Sequence, residues 1–166
     1  MKVSGAAIRR FLDAPGKDLR AALLFGPNQS FVHEAAQRLA HWSLGGADDP
    51  YAITKLGEDE IKRDGARLAD ALAAQSLLGG ATLVWARIDG KAADGAISDA
   101  LEALERGEPG AFLLVEAGEL SSSSELVKAF NAAKSAASVP FYEESEAERA
   151  QFARALASEL GVEFDE

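Results

Sequence analysis

The 166-residue chain contains no cysteine. That excludes a disulfide framework, a thiolate nucleophile and a Cys-ligated zinc site, and it suits a reducing cytoplasm. No apolar run approaches the length a membrane-spanning helix needs. The first ten residues, Met1 to Arg10, have no signal-peptide core, because Arg9 and Arg10 interrupt the apolar stretch. Basic charge is also scarce: 17 Lys and Arg face 27 Asp and Glu, a net of −10. Residues 141–166 carry eight acidic and two basic side chains, a net of −6, which leaves −4 for the other 140 residues. Neither part has the basic stripe that binding to a phosphate backbone requires, so autonomous DNA or RNA binding is not expected.

What is present is a globular composition, 48% hydrophobic. A chain of this length can bury about 70% of its unfolded surface without covalent staples. Ile8, Phe11 and Leu12 give residues 3–13 the spacing of a short amphipathic helix, ended by Pro15-Gly16. Ala21 to Phe25 is a continuous apolar run, the pattern of a strand covered on both faces. After the turn Gly26-Pro27-Asn28, residues 30–42 have helical spacing through Phe31, Ala35, Leu39 and Trp42. Further strands are expected at 52–56, 82–88, 110–115 and 139–142. Helices are expected at 61–74, with Leu68 and Leu72, and at 93–106, with Ile97, Leu101 and Leu104. Another should open near Ser123, where Ser122 and Glu125 have capping-box spacing. A last, charged helix runs from Glu146 to Leu160 and stops at Gly161. Alternation of this kind needs crossover connections, so the chain is read as α/β, a five-stranded parallel sheet with helices on both faces.

The turn Gly26, Pro27, Asn28, Gln29, Ser30 lies between strand and helix, where a phosphate-binding loop would lie. A working loop has a second glycine followed by Lys and Ser or Thr. Here Phe31 and Val32 stand within the stretch where those residues belong, so the segment is either a plain strand-to-helix turn or a weak nucleotide site at a helix N-terminus. Asp89 and Glu116 follow buried-looking strands, the usual place for a magnesium carboxylate; without the lysine both read as helix-cap or solvated residues. Arg87, inside a strand, points to a crevice or a partner, or simply marks an exposed strand end. His33 and His41, eight apart, do not have metal-ligand spacing. Ser121 to Ser124 lack a nearby histidine and serve as loop and cap, and Glu143-Glu144 lie in a solvated acidic stretch. No metal site, no cofactor and no catalytic residue is expected.

The segment Leu72 to Leu78 closes a helix, and Gly79-Gly80 break it just before the strand at Thr82. Leu77 and Leu78 thus sit at a turn, where they either fold back on the strand or insert into a partner's pocket.

The order of these pieces resembles the N-terminal part of the delta subunit of the bacterial DNA polymerase III clamp loader. Four stretches carry the likeness: Leu23-Leu24-Phe25-Gly26-Pro27; Gln75 to Gly80 before Thr82-Leu83-Val84; Phe112 to Glu116 with Gly118-Glu119-Leu120, the serines and Leu126 to Phe130; and Val139 to Tyr142 followed by the acidic helix. The resemblance implies an AAA+-like P-loop topology with a degenerate nucleotide site. It divides the chain into a core, 1–142, and a segment 143–166 holding an acidic linker and the first helix of a truncated lid. It further implies a non-catalytic subunit that binds and opens the sliding clamp through Ser76, Leu77, Leu78 and Gly79, meets other loader subunits, and touches DNA only indirectly. Leu78 stands where that family usually has phenylalanine, and Ala81 where a long polar or basic residue often follows. A leucine still fills an apolar pocket but gives up ring area. The alternative reading is a small P-loop-like nucleotide-binding protein or NTPase.

Overall fold

The computed structural model describes residues 1–74 and 79–142, together with Ala150 and Arg154. Its centre is a five-stranded, all-parallel sheet in the order β2-β3-β4-β1-β5. The strands are β1 (Ala21–Phe25), β2 (Ile53–Gly57), β3 (Leu83–Ile88), β4 (Phe112–Ala117) and β5 (Ala136–Pro140). Four of them read as near-continuous apolar runs because helices cover both faces of the sheet, so every alternate position meets a core.

One core contains Leu23, Phe25, Val84, Ile88, Leu113 and Val115, packed under α4 (Ala66–Ala73), α5 (Asp94–Glu105) and α6 (Glu125–Ala132). The other contains Leu24, Leu83, Trp85, Phe112 and Leu114, packed under α1 (Ala7–Asp13) and α2 (Gln29–Ser43). The period of two along each strand sorts its side chains between these layers. The fold class and the two-sided layering expected from the sequence are therefore those observed.

Element boundaries differ where local chemistry overrides periodicity. The helix expected over 61–74 is two, α3 (Glu58–Arg63) and α4, broken at Asp64-Gly65. Asp64 is extended, and its carboxylate accepts the Ala66 N–H at 3.1 Å, so a side chain that competes with helix hydrogen bonding restarts the helix. The Ser122–Glu125 capping box does not form. Ser124 is the N-cap without a side-chain bond, and the Ser121 hydroxyl instead accepts the Ser123 N–H at 3.2 Å. Helix α1 begins at Ala7 rather than residue 3, because Met1 to Val3 lie along β5: Val3 N–H donates to Ser138 C=O and Ser138 N–H to Met1 C=O, both at 2.9 Å. Strand β5 itself starts at Ala136, earlier than its apolar tail suggested, since alanine and a buried serine complete it.

On α2 the buried stripe is Val32, Ala35, Ala36, Leu39 and Ala40, and Phe31 is 59% exposed instead of inside. At 3.6 residues per turn, Phe31 falls on the margin of a stripe centred near Val32 and Leu39.

Candidate functional site

The turn after β1 lies at the carboxyl ends of β1, β4 and β5, the rim where parallel α/β sheets bind ligands. Gly26 is buried, whereas Pro27, Asn28, Gln29 and Ser30 are exposed. Its φ of 153° favours glycine, and a Cβ there would stand 2.1 Å from the Phe141 carbonyl oxygen. The glycine is thus required by the chain leaving β5, which crosses directly over it.

Several polar groups of the turn are engaged within the protein. Gly26 N–H donates to Gly118 C=O at 3.0 Å, and Phe141 N–H donates to Phe25 C=O at 2.7 Å. The Gln29 side-chain amide donates to Gly26 C=O at 2.7 Å and to Ala117 C=O at 3.3 Å. Asn28 caps α2, its Oδ1 accepting the Phe31 N–H at 3.3 Å. Two hollows on the α2 side, one of about 310 Å³ against Trp85 and one of about 890 Å³ near Leu12, are lined by none of residues 26–30.

Beside the turn stands the main correction to the sequence reading. Glu116, expected to be a cap or solvated, is inside β4 and only 2% exposed. Its Oε2 accepts the Trp85 indole N–H at 3.0 Å. His33 Nδ1 donates to the same carboxylate, 3.1 Å from Oε1 and 3.3 Å from Oε2, and Arg87 Nη2 lies 3.4 Å from Oε1. The His33 ring stacks on Trp85 with centroids 5.7 Å apart, and Lys55 Nζ lies 5.3 Å from the Trp85 ring centre. Strand alternation explains the cluster: residues 85 and 87 on β3 and 114 and 116 on β4 point to the α2 side, where His33 projects from the second turn of the helix. The signal missed in the sequence was strand length, since β4 runs two residues beyond its apolar core and carries the carboxylate in with it.

Asp89 is exposed as expected, while its backbone N–H donates to Glu58. Glu58, at the start of α3, also accepts from Gly90 and Ala92 N–H, each at 2.8 Å, and so clasps the loop that leads into α5. Burial opposes ionisation of Glu58, but backbone donors from Asp89, Gly90, Ala92 and Ala93 outweigh it and hold the carboxyl below the ordinary 4.5. Asp94 moves the other way: burial first, then the Glu58 charge, push it above 3.8, against a smaller pull from Lys91. His41 pairs with Asp48 at 3.3 Å, away from His33's partners. Among the described residues no group of three or more His, Asp or Glu is placed to hold a metal ion.

Of the segment expected to contact a partner, Ser76, Leu77 and Leu78 lie outside the described residues, as do Glu143-Glu144 and all of 143–166 except Ala150 and Arg154. The frame around that segment is described. Helix α4 ends at Ala73, with Leu68 and Leu72 buried. Leu72 C=O accepts the Ala111 N–H at 2.9 Å, and the exposed Gly79 and Gly80 have φ of 68° and 116°, glycine conformations that turn the chain toward β3.

No protein-family model and no curated protein matches the sequence. Solved structures do. The Bacillus subtilis DNA clamp loader delta protein superposes on 92% of this chain with a TM-score of 0.60 at 15% sequence identity. A DNA polymerase III gamma subunit-related protein from Thermotoga maritima covers 93% at 16% identity with a TM-score of 0.47. The chain spans about half the length of both, 46% and 51% respectively. The five parallel strands in the order β2-β3-β4-β1-β5 and the helical layers on either side give this chain a fold like that of the Bacillus subtilis clamp loader delta protein.

Proposed function

We propose that the chain acts as a non-catalytic clamp-loader subunit that binds and opens a sliding clamp. The observation that carries this reading is the likeness in fold to a DNA clamp loader delta protein over 92% of the chain. The chemistry of the Gly26–Ser30 turn supports it: the turn has no lysine for a phosphate, and Gly26 N–H and Phe31 N–H are already bonded within the protein. Ser76, Leu77, Leu78 and Gly79 form the clamp contact, with the two leucines as its apolar anchors. The subunit works in the cytoplasm beside other loader subunits, needs no cofactor of its own and meets DNA through the assembly. Residues 143–166 hold an acidic linker and the first helix of a truncated lid.

The mechanism is one of differential affinity. A pair of side chains that seats better in a clamp whose interface has parted shifts the ring toward the open form, by no more than the difference in binding to the two forms. Each leucine contributes about 1.5–3 kcal/mol when fully buried, and two anchors of that size dominate a small interface. The test is a calorimetric titration against the cognate sliding clamp. Replacing Leu77 and Leu78 together by alanine should raise Kd by about 100-fold or more. Unchanged affinity in a folded double variant would reject the anchors. Titration with ATP and magnesium separates the nucleotide-binding reading: the proposal expects no saturable heat and no turnover, and hydrolysis would replace it with an NTPase.

A further inference from the structure

A carboxylate buried in the middle layer of a sheet is costly unless charge-assisted donors surround it. Glu116 has them, and none comes from its own strand: Trp85 Nε1 and Arg87 Nη2 project from β3, and His33 Nδ1 from α2. The site is also reachable. His33 and Arg87 keep 43% and 63% of their side-chain surfaces exposed, while Glu116 itself is closed off. Immediately after Glu116, Ala117 and Gly118 supply the carbonyls that take the Gln29 amide and the Gly26 N–H. The end of β4 therefore secures both the turn and the first half of α2.

We infer that His33, Trp85 and Arg87 form an anion-binding site which the chain fills with its own side chain, and that Glu116 is the positioning residue holding the N-terminal half of α2 on the sheet. The place of α2 beside the β1 turn is then set from within, without any bound anion. With Glu116 cut back to alanine, the missing CH₂ and carboxylate have the size and charge of acetate. The emptied site should accept acetate or formate, with Kd on the order of 1–10 mM for a ligand of so few atoms.

The test compares wild type, Glu116→Ala and Glu116→Gln by thermal unfolding in sodium acetate and in sodium chloride of equal ionic strength. NMR of the Trp85 indole N–H and the His33 ring nitrogens reports on the donors directly. Glu116→Ala should lose both signatures in chloride, and acetate should restore them and raise Tm saturably. Wild type should show no acetate-specific response. Glu116→Gln keeps the shape without the charge; it should keep the Trp85 signal and lose that of His33. Equal behaviour of Glu116→Ala in acetate and chloride, or an equal acetate response in wild type, would overturn the assignment. If Glu116→Ala folds in neither salt, Glu116→Gln decides: an unaltered His33 signal rejects the inference, and its loss upholds it.

Discussion

Replacing Gly26 by alanine places a methyl carbon 2.1 Å from the Phe141 carbonyl oxygen, 2.7 Å from its carbonyl carbon and 3.1 Å from its Cα. All three are backbone atoms, so no rotamer change relieves the clash. The chain leaving β5 must move, and its movement threatens two hydrogen bonds, Phe141 N–H to Phe25 C=O and Gly26 N–H to Gly118 C=O. Their loss costs about 1 kcal/mol each. Forcing the methyl group into a packed site adds about 1–3 kcal/mol, and a side chain at a φ of 153° adds about 1–3 kcal/mol of backbone strain. Because the strand end can relax, these contributions overlap, and a net loss of about 3–5 kcal/mol is expected. The control is Gly107→Ala, where φ is 84° but nothing lies within 4 Å of the added Cβ. It isolates the conformational cost alone, about 1–2 kcal/mol. Urea unfolding of both variants gives the difference. A Gly26→Ala loss within about 1 kcal/mol of the control would refute the close approach of Phe141 as the reason for this glycine.

Two further outcomes test the electrostatics and the capping. Glu58 has a lowered carboxyl pKa in the folded protein, so its contribution is complete above the ordinary 4.5 and disappears as pH falls through the lowered value. Glu58→Gln should therefore cost about 1–2 kcal/mol at neutral pH, allowing for its partial exposure, and progressively less in acid, as followed by urea midpoints across that range. Asp94 carries the opposite sign. Its raised pKa makes its charge unfavourable above about its ordinary value, and its Oδ1 is buried without a hydrogen-bond partner. Asp94→Asn should be neutral or stabilising by a few tenths of a kcal/mol at pH 8, with the gain vanishing in acid. Arg20 donates to Leu104 C=O at 2.8 Å and Glu108 C=O at 2.6 Å, capping the carboxyl end of α5. Arg20→Ala should lower stability by about 1–2 kcal/mol, read from the denaturation midpoint, and lysine should recover only part of it because it lacks the two-pronged donor.

The sheet was legible because burial on both faces writes itself as apolar runs. Leu23-Leu24-Phe25 and Leu113-Leu114-Val115 are buried almost completely, as a strand covered on both faces requires, and their alternation with helical segments marks the sheet as parallel. The strand–turn–helix at Gly26 was also legible, since Gly-Pro-Asn marks both the turn and the cap. The carboxylate of Glu116 was not. Position alone suggested a residue just past the strand, and the partners that make its burial tolerable come from positions 33, 85 and 87, which no local pattern connects. Phe31 misled for a related reason: hydrophobicity says what a side chain prefers, whereas the angular position on α2 decides what it can reach. Local hydrogen bonding likewise decided the break at Asp64, where a period-based reading continues the helix.

The bonding of the β1 turn bears on whether the rim of the sheet serves a nucleotide or a protein partner. Two backbone donors of this turn are already taken, Gly26 N–H by Gly118 C=O and Phe31 N–H by the Asn28 side chain, and turning either to a phosphate gives up about 1 kcal/mol. An active phosphate loop recovers such costs through a lysine on the β- and γ-phosphates and a hydroxyl on magnesium. Counted from Gly26, Val32 stands at the lysine's place, buried in the α2 core, and His33 at the hydroxyl's, turned to Glu116, and neither can repay the exchange. The same bonds that disfavour a nucleotide also stiffen the frame on which β1, β4 and the start of α2 meet. A rigid frame of that kind is what a protein-binding subunit needs, since affinity gained at a few apolar anchors is spent less on ordering the scaffold behind them. On this reasoning the protein partner, and not ATP, should produce the saturable heat.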